Sequence, residues 1–372
     1  MKSYIPSLNG LRALSIIIVI LYHLDGNELF DHEGVVHSFA RFLFHGPLGV
    51  SIFFAISGFL ITTLLIREEI EKGSISLKAF YTRRMIRIFP AYYFYLFVIL
   101  LLTLDGYLRP TLIDWLSSIT YTKQFFMGHT VFETSHLWSL SVEEVFYLLW
   151  PLLFIYARPY RLQVILIGML ASCIFRLFAW QYDTSVMDRN ILDSGDALLV
   201  GCCFALYKEQ ILVWMYKWQQ LCWLIIPAIL LSVIGYKYLY HLQDAGALPG
   251  KHLLKAFALP LGYAFFGQVG TVTNLLIGLL ILWSITFETI WFKFLNLPVM
   301  NYIGKLSYSL YLWQQLFTAD RIWLHSLPVP LLFVLIGIVA MLSYYAIEQP
   351  FLKLKARLSA SLEYKQAVPK AF

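Results

Sequence analysis

The sequence predicts an all-α, polytopic membrane helix bundle of about ten transmembrane helices. Three observations predict it. The 372 residues are 59% hydrophobic and only 13% charged, with a mean hydropathy of +0.69, whereas a soluble domain carries about 25% charged residues. Aromatics reach 17%, with 11 Trp and 24 Tyr, which suits a chain with two membrane interfaces to line. Apolar runs long enough to approach a bilayer thickness recur along the whole chain.

Eleven runs are candidates: 8–25, 47–66, 88–105, 143–157, 162–180, 195–208, 220–240, 252–268, 272–288, 303–318 and 328–347. Loop charge orients them, because basic residues stay cytoplasmic. Segment 67–87 holds Arg67, Lys72, Lys78, Arg83, Arg84 and Arg87 and reads as inside. The loop with Asp25, Glu28, Asp31 and Glu33 reads as outside, as does 181–196 with its four Asp residues. Arg158 and Arg161 mark an inner turn, and Lys353, Lys355 and Arg357 an inner tail. Cytoplasmic N- and C-termini require an even number of crossings. The run 252–268, flanked by Lys251 and Lys255 and broken by Pro260 and Gly262, is therefore expected to be an outer re-entrant or interfacial segment. The expected organisation is one membrane domain over 1–350 and a short basic cytoplasmic tail over 351–372. The first run carries Arg12 and His23 and lacks a small-residue cleavage site, so it reads as a retained helix.

Cys173, Cys202, Cys203 and Cys222 lie in or beside apolar runs without ligand spacing and read as small core residues. No metal site is expected. The net charge of +6 sits in short loops and a tail, which argues for the lipid bilayer as partner and against nucleic acid.

Within the first helix, NGLRALSIIIVILYHL, Arg12 and His23 are eleven residues apart. At about 100° per residue they fall within about 20° of one face, together with Ser15 and Tyr22. An ionisable stripe on an apolar helix must face protein or water. The same pattern also fits a snorkelling Arg and an interfacial His near the two helix ends. GVSIFFAISGFLIT (49–62) is punctuated by small residues that let helices approach closely. YTRRMIRIFPAYY (81–93) sets Arg84 and Arg87 one turn apart; the pair reads either as a positive-inside anchor or as a phosphate clamp. In SHLWSLSVEEVFYLLWP (135–151), Trp138 suits an interface, Ser139 or Ser141 a helix cap, and Glu144 the first helical turn. Glu143 is left to face the bundle. GKLSYSLYLWQQLF (304–317) carries Ser307, Tyr308, Tyr311 and Gln314 as a polar stripe.

Taken in order, NGLRALSIIIVILYH, GVSIFFAISGFLIT, FYTRRMIRIFPAYY, HLWSLSVEEVFYLLWP, RNILDSGDALLVG, GKLSYSLYLWQQ and AIEQPF resemble acyltransferase family 3, from Ser7 to about Phe351. These are integral-membrane O-acyltransferases that modify bacterial glycans. The resemblance implies ten core helices in the bacterial inner membrane, with acyl-CoA, most simply acetyl-CoA, as donor. It implies a glycan or lipid-linked saccharide, such as O-antigen or exopolysaccharide, as acceptor. It implies roles for Arg12 and His23 and for Arg84 and Arg87, with Trp138, Ser139, Arg189, Tyr308 and Gln314 as acceptor-side or supporting residues. Asn9 stands where the family more usually has Asp, and Gln314 where many members have His, so Gln314 is assigned no proton transfer. The chain ends at Phe372, too early for the esterase-like domain fused to some members, so no handover to one is expected within it.

Acyl transfer to a hydroxyl needs a base, and an imidazole titrates near the working pH. His23 is the candidate base, or the residue that carries the acyl group covalently. Glu143 is expected to orient its imidazole from the outer side, while Arg12, Arg84 and Arg87 hold donor phosphates at the inner side. The axial rise from Arg12 to His23 is about 16 Å. A transporter would also need intramembrane ionisable residues, but no half-chain repeat is evident. Release of free CoA from acyl-CoA separates the two readings.

Overall fold

A computed structural model describes residues 5–25, 45–181, 189–244, 259–265, 269–319 and 327–354, and all regular structure among them is helical. The acidic loop 26–44, most of the expected re-entrant segment and nearly all of the tail lie outside the described residues. The described part of 252–268 is a seven-residue helix, Leu259–Phe265.

The principal helices are α1 (Leu8–Asp25), α2 (Gly46–Lys72), α3 (Leu77–Leu104), α4 (Leu112–Ile119), α5 (Phe132–Ser135), α6 (Leu137–Tyr156), α7 (Arg161–Gln181) and α8 (Ile191–Leu206). They continue with α9 (Lys208–Lys217), α10 (Ile225–Asp244), α11 (Leu259–Phe265), α12 (Thr271–Thr286), α13 (Ile290–Leu295), α14 (Pro298–Phe317) and α15 (Val329–Ser343). Among the described residues, five helical stretches are long and apolar enough to cross a membrane: Gly46–Lys72, Leu77–Leu104, Phe132–Tyr156, Arg158–Ala179 and Val329–Leu354. A sixth joins them if α8 and α9, bent by 81°, form one broken span. Leu8–Leu24, Gln219–Gly235 and Thr271–Thr286 are shorter apolar helices. The chain is thus a multi-pass membrane protein. The number that qualifies by length and apolarity falls below ten for a physical reason. The first helix is short, and α14 spends its inner face on Ser307, Tyr308, Tyr311 and Gln314, which lowers its hydropathy.

Close helix contacts follow from glycine. A Cβ on Gly58 would sit 1.9 Å from the Leu198 carbonyl oxygen, and one on Gly201 2.1 Å from that of Ala55. The backbones of α2 and α8 therefore touch, as the small-residue punctuation of 49–62 led one to expect. Gly304 on α14 likewise abuts the Asn9 carbonyl, where a Cβ would lie 2.0 Å away. The start of α1 is clamped from the other side: Ser7, in a left-handed conformation (φ 64), donates its N–H to Asn296 Oδ1 at 3.0 Å, and Asn296 Nδ2 donates to Ser7 Oγ at 2.7 Å. These contacts set the rotation of α1, and with it the direction of Arg12 and His23.

Charge gathers where α2, α3, α6 and α7 adjoin. Ser76 caps α3, accepting from Ala79 N at 3.3 Å. Arg83 pairs with Glu68 at 3.0 Å, while Arg158 and Arg161 both pair with Glu69 at 3.0 Å.

The segment between α3 and α6, which showed no apolar run, folds into a small polar cap. Lys123 and Asp114 are buried and ion-paired within it, and Lys123 Nζ also donates to Ser118 Oγ at 3.1 Å and Thr134 Oγ1 at 3.0 Å. Tyr92 and Tyr95 of α3 tie it down through hydroxyl bonds to the carbonyls of Ser118 (2.7 Å) and Glu133 (2.6 Å). The cap fixes where α6 begins.

Candidate active site

Two cavities open within the bundle. The first, about 1180 Å³ including its mouth, is basic: Arg12, Arg84, Arg87 and Lys305 line it against Glu143 and Glu348, an excess of two positive charges. Among the described residues, none of the three guanidinium groups has a carboxylate oxygen within 4.0 Å. Arg84 lies over the Tyr147 ring, its Cζ 3.7 Å from the centroid, and its buried Nε has no partner. Both carboxylates are engaged by hydroxyls: Ser57 Oγ donates to Glu143 at 2.6 Å, and Ser309 donates to Glu348. Of the basic cluster on α3, Arg83 is thus spent on an ion pair, while Arg84 and Arg87 line the cavity with no carboxylate beside them. Such a space suits an anion with several oxygens.

The second cavity, about 1350 Å³ including its mouth, contains His23, Tyr22, Trp138, His136 and Arg189. His23 Nδ1 lies 2.9 Å from the Val19 carbonyl oxygen. A carbonyl only accepts, so Nδ1 carries the hydrogen and Nε2 keeps its lone pair. Phe132 packs edge-on against the ring, with centroids 6.5 Å apart.

Val50 and Tyr311 line both cavities, which therefore lie side by side between α2 and α14 with these two residues in the wall they share. The junction is a hydrogen-bonded knot. Ser139 Oγ and Tyr311 OH are 2.5 Å apart, and the His136 carbonyl accepts from both, at 3.2 and 3.0 Å. Neighbouring residues of α6 face opposite ways: Trp138 lines the histidine cavity and Ser139 the basic one.

Glu143, expected beside His23, lines the other cavity. Glu143 does not reach His23; it lies in the basic cavity, bonded to Ser57. The physical reason is the register of α6: it starts at Leu137, not near residue 143, so Glu143 sits two turns inside the helix rather than at its rim. The orienting acceptor for the imidazole is a backbone carbonyl. Tyr308 donates to the Ile88 carbonyl at 2.9 Å, joining α14 to α3 just beyond Arg87. Gln314 is fully buried, its Nε2 3.4 Å from Gln315 Oε1, and its side chain reaches the His23 imidazole from α14. Arg189 is exposed at the mouth of the histidine cavity.

Other residues went unread in the sequence. Arg176 on α7 is 3% exposed and pairs with Asp196 at 2.6 Å, while Thr271 (2.6 Å) and Asn274 (3.0 Å) donate to the same carboxylate. Asn190 caps α8, accepting from Leu192 N at 2.8 Å and Asp193 N at 3.1 Å. These bonds give RNILDSGD a structural task, and one charge in the middle of the run 162–180 was its signal.

Comparison with known proteins identifies the family. The family model Acyl_transf_3, described as an acyltransferase domain, matches residues 5–348. A relative named "Putative O-acetyltransferase" from Staphylococcus aureus strain COL is 30% identical over 385 aligned residues, covering 94% of this chain and 58% of its own length. O-acetyltransferase OatA from strain MRSA252 of the same species is 29% identical, covering 98% of this chain and 60% of its own. The chain thus spans about three-fifths of the length of these relatives. No solved structure matches. The family model spans nearly the whole chain, residues 5–348, and the protein belongs to the acyltransferase 3 family.

Proposed function

We propose that this protein is a bacterial inner-membrane O-acetyltransferase that moves an acetyl group from acetyl-CoA to a hydroxyl of a cell-surface glycan or lipid-linked saccharide. The observation that carries the reading is the adjacency of the two cavities, which share Val50 and Tyr311 as wall. Arg12, Arg84 and Arg87 grip the phosphates of the donor, and its pantetheine arm runs toward the junction. The acceptor enters the other cavity and presents its hydroxyl to Nε2 of His23.

The chemistry then balances in two moves. His23 Nε2 takes the hydroxyl proton as the oxygen bonds to the thioester carbonyl carbon. The C–S bond breaks, the sulfur leaves with the electron pair, and the imidazolium returns the proton to it. CoA and an O-acetyl ester result. Val19 fixes the tautomer throughout by accepting from Nδ1.

Counting α1, α2, α3, α6, α7, the bent α8–α9 pair, α10, α12, α14 and α15 gives ten crossings, with both termini cytoplasmic. The Arg67–Arg87 segment and the basic cavity then face the cytosol, where acyl-CoA is made, and His23 faces outward. The test is purified protein given acetyl-CoA and de-O-acetylated surface glycan from cells lacking the gene. Mass spectrometry should find acetylated glycan and stoichiometric free CoA. CoA release without glycan modification, or neither, would reject the reading.

A further inference from the structure

Tyr147 lines the basic cavity and has no part in the reaction above. It stands on α6 one turn beyond Glu143 and is 4% exposed, so packing fixes its ring. Arg84 lies over that ring with Cζ 3.7 Å from the centroid. An N–H aimed at the ring would hold Cζ farther out, so the planar guanidinium lies flat on the π face. Arg84 itself is half-buried, and no carboxylate oxygen lies within 4.0 Å of it among the described residues.

A carboxylate holds an arginine by taking its N–H hydrogens and offsetting its charge. An aromatic face attracts the cation through the ring quadrupole and does neither. The edge of the fork then stays free for two parallel bonds to an oxyanion. The chain contains a stack in which that edge is used. Arg161 lies over the Phe154 ring, its Cζ 3.4 Å from the centroid, and its Nη1 and Nη2 donate to the two carboxylate oxygens of Glu69, each at 3.0 Å. The ring sets the plane and the oxyanion takes the edge. Arg84 repeats the stack, but it lines a cavity with an excess of positive charge instead of meeting a carboxylate.

We propose that Tyr147 is a positioning residue for the donor: its ring holds the Arg84 guanidinium flat, so that the fork donates two hydrogen bonds to one phosphate group of CoA. This rests on the reading of the basic cavity as the donor site. Tyr147 touches no reacting atom, and its ring rather than its hydroxyl does the positioning.

Titration calorimetry of CoA against the purified chain in detergent tests this, because it needs neither turnover nor an acceptor. Tyr147→Met fills much of the ring's space without a π face and should weaken CoA binding about tenfold. Tyr147→Phe keeps the face and should stay within about twofold of wild type. Arg84→Ala removes what the ring holds, so adding Tyr147→Met to it should weaken binding no further. Wild-type affinity in the Met variant would overturn the proposal. A Phe variant weakened as far as expected for Met would do the same, since the hydroxyl and not the face would then matter. Losses that add in the double variant would show the ring acting apart from Arg84, with the same consequence. If the wild type itself bound no CoA, the donor reading of the cavity would fall first, and the assignment of Tyr147 with it.

Discussion

Nδ1 of His23 is held by the Val19 carbonyl, one helical turn back, so the imidazole is oriented without a carboxylate. His23→Ala should therefore abolish acetyl transfer while the protein still inserts and elutes as a monodisperse species in detergent; wild-type-like turnover would remove His23 from the mechanism. Arg84 and Arg87 face the basic cavity with no carboxylate beside them. In the proposed reaction, each charge-assisted bond from these groups to donor phosphate is worth about 1.5–3 kcal/mol. The Arg84→Ala/Arg87→Ala double variant should then raise the KM for acetyl-CoA about a hundredfold or more, with the glycan KM unaffected. Lysine at both positions should restore only part of it, because it lacks the planar fork. Glu143 now belongs with these residues. Its Gln variant should alter the donor KM and not the acceptor KM, measured by varying each substrate in turn. A change confined to the acceptor would return Glu143 to the side of His23.

The helices themselves were largely legible. Apolar runs located α1, α2, α7, α12, α14 and α15 to within a few residues, and the small-residue punctuation of 49–62 foretold that α2 would touch a neighbour. What ran beyond the apolar pattern was missed. The helix α3 begins at Leu77, eleven residues before its apolar run, because its first turns are charged and lie outside the core of a bilayer. The cap of residues 108–136 left no apolar signature, since a buried Lys123–Asp114 pair and tyrosine hydroxyls hold it. The cap precedes α6, so the helix begins at Leu137 and Glu143 lines the basic cavity rather than the histidine one, which no apolar pattern foretells. Two element-level changes test the packing. Gly201→Leu forces a side chain into the backbone of α2 and should lower the melting temperature in detergent, since overpacking costs about 1–3 kcal/mol or more. Arg176→Leu strands Asp196 beside Thr271 and Asn274; breaking a buried pair costs about 3–5 kcal/mol, so this variant should be the least stable of the set. A Gly201→Leu protein with wild-type melting would contradict the tight α2–α8 crossing.

Across the whole molecule, the arginines line one cavity and the candidate base the other, with the Ser139–Tyr311 knot in the wall between. Arg12 and His23 could be read from spacing on one helix; that they serve two different cavities could not, because the partition is made by α6 and α14, far away in sequence. The central claim is that donor and acceptor reach the reaction from opposite faces. Sealed inside-out vesicles, carrying de-O-acetylated surface glycan in their lumen and given external acetyl-CoA, measure it directly. They should acetylate the trapped glycan, and right-side-out vesicles given the same external acetyl-CoA should not. Acetylation by right-side-out vesicles supplied only with external donor would contradict the account.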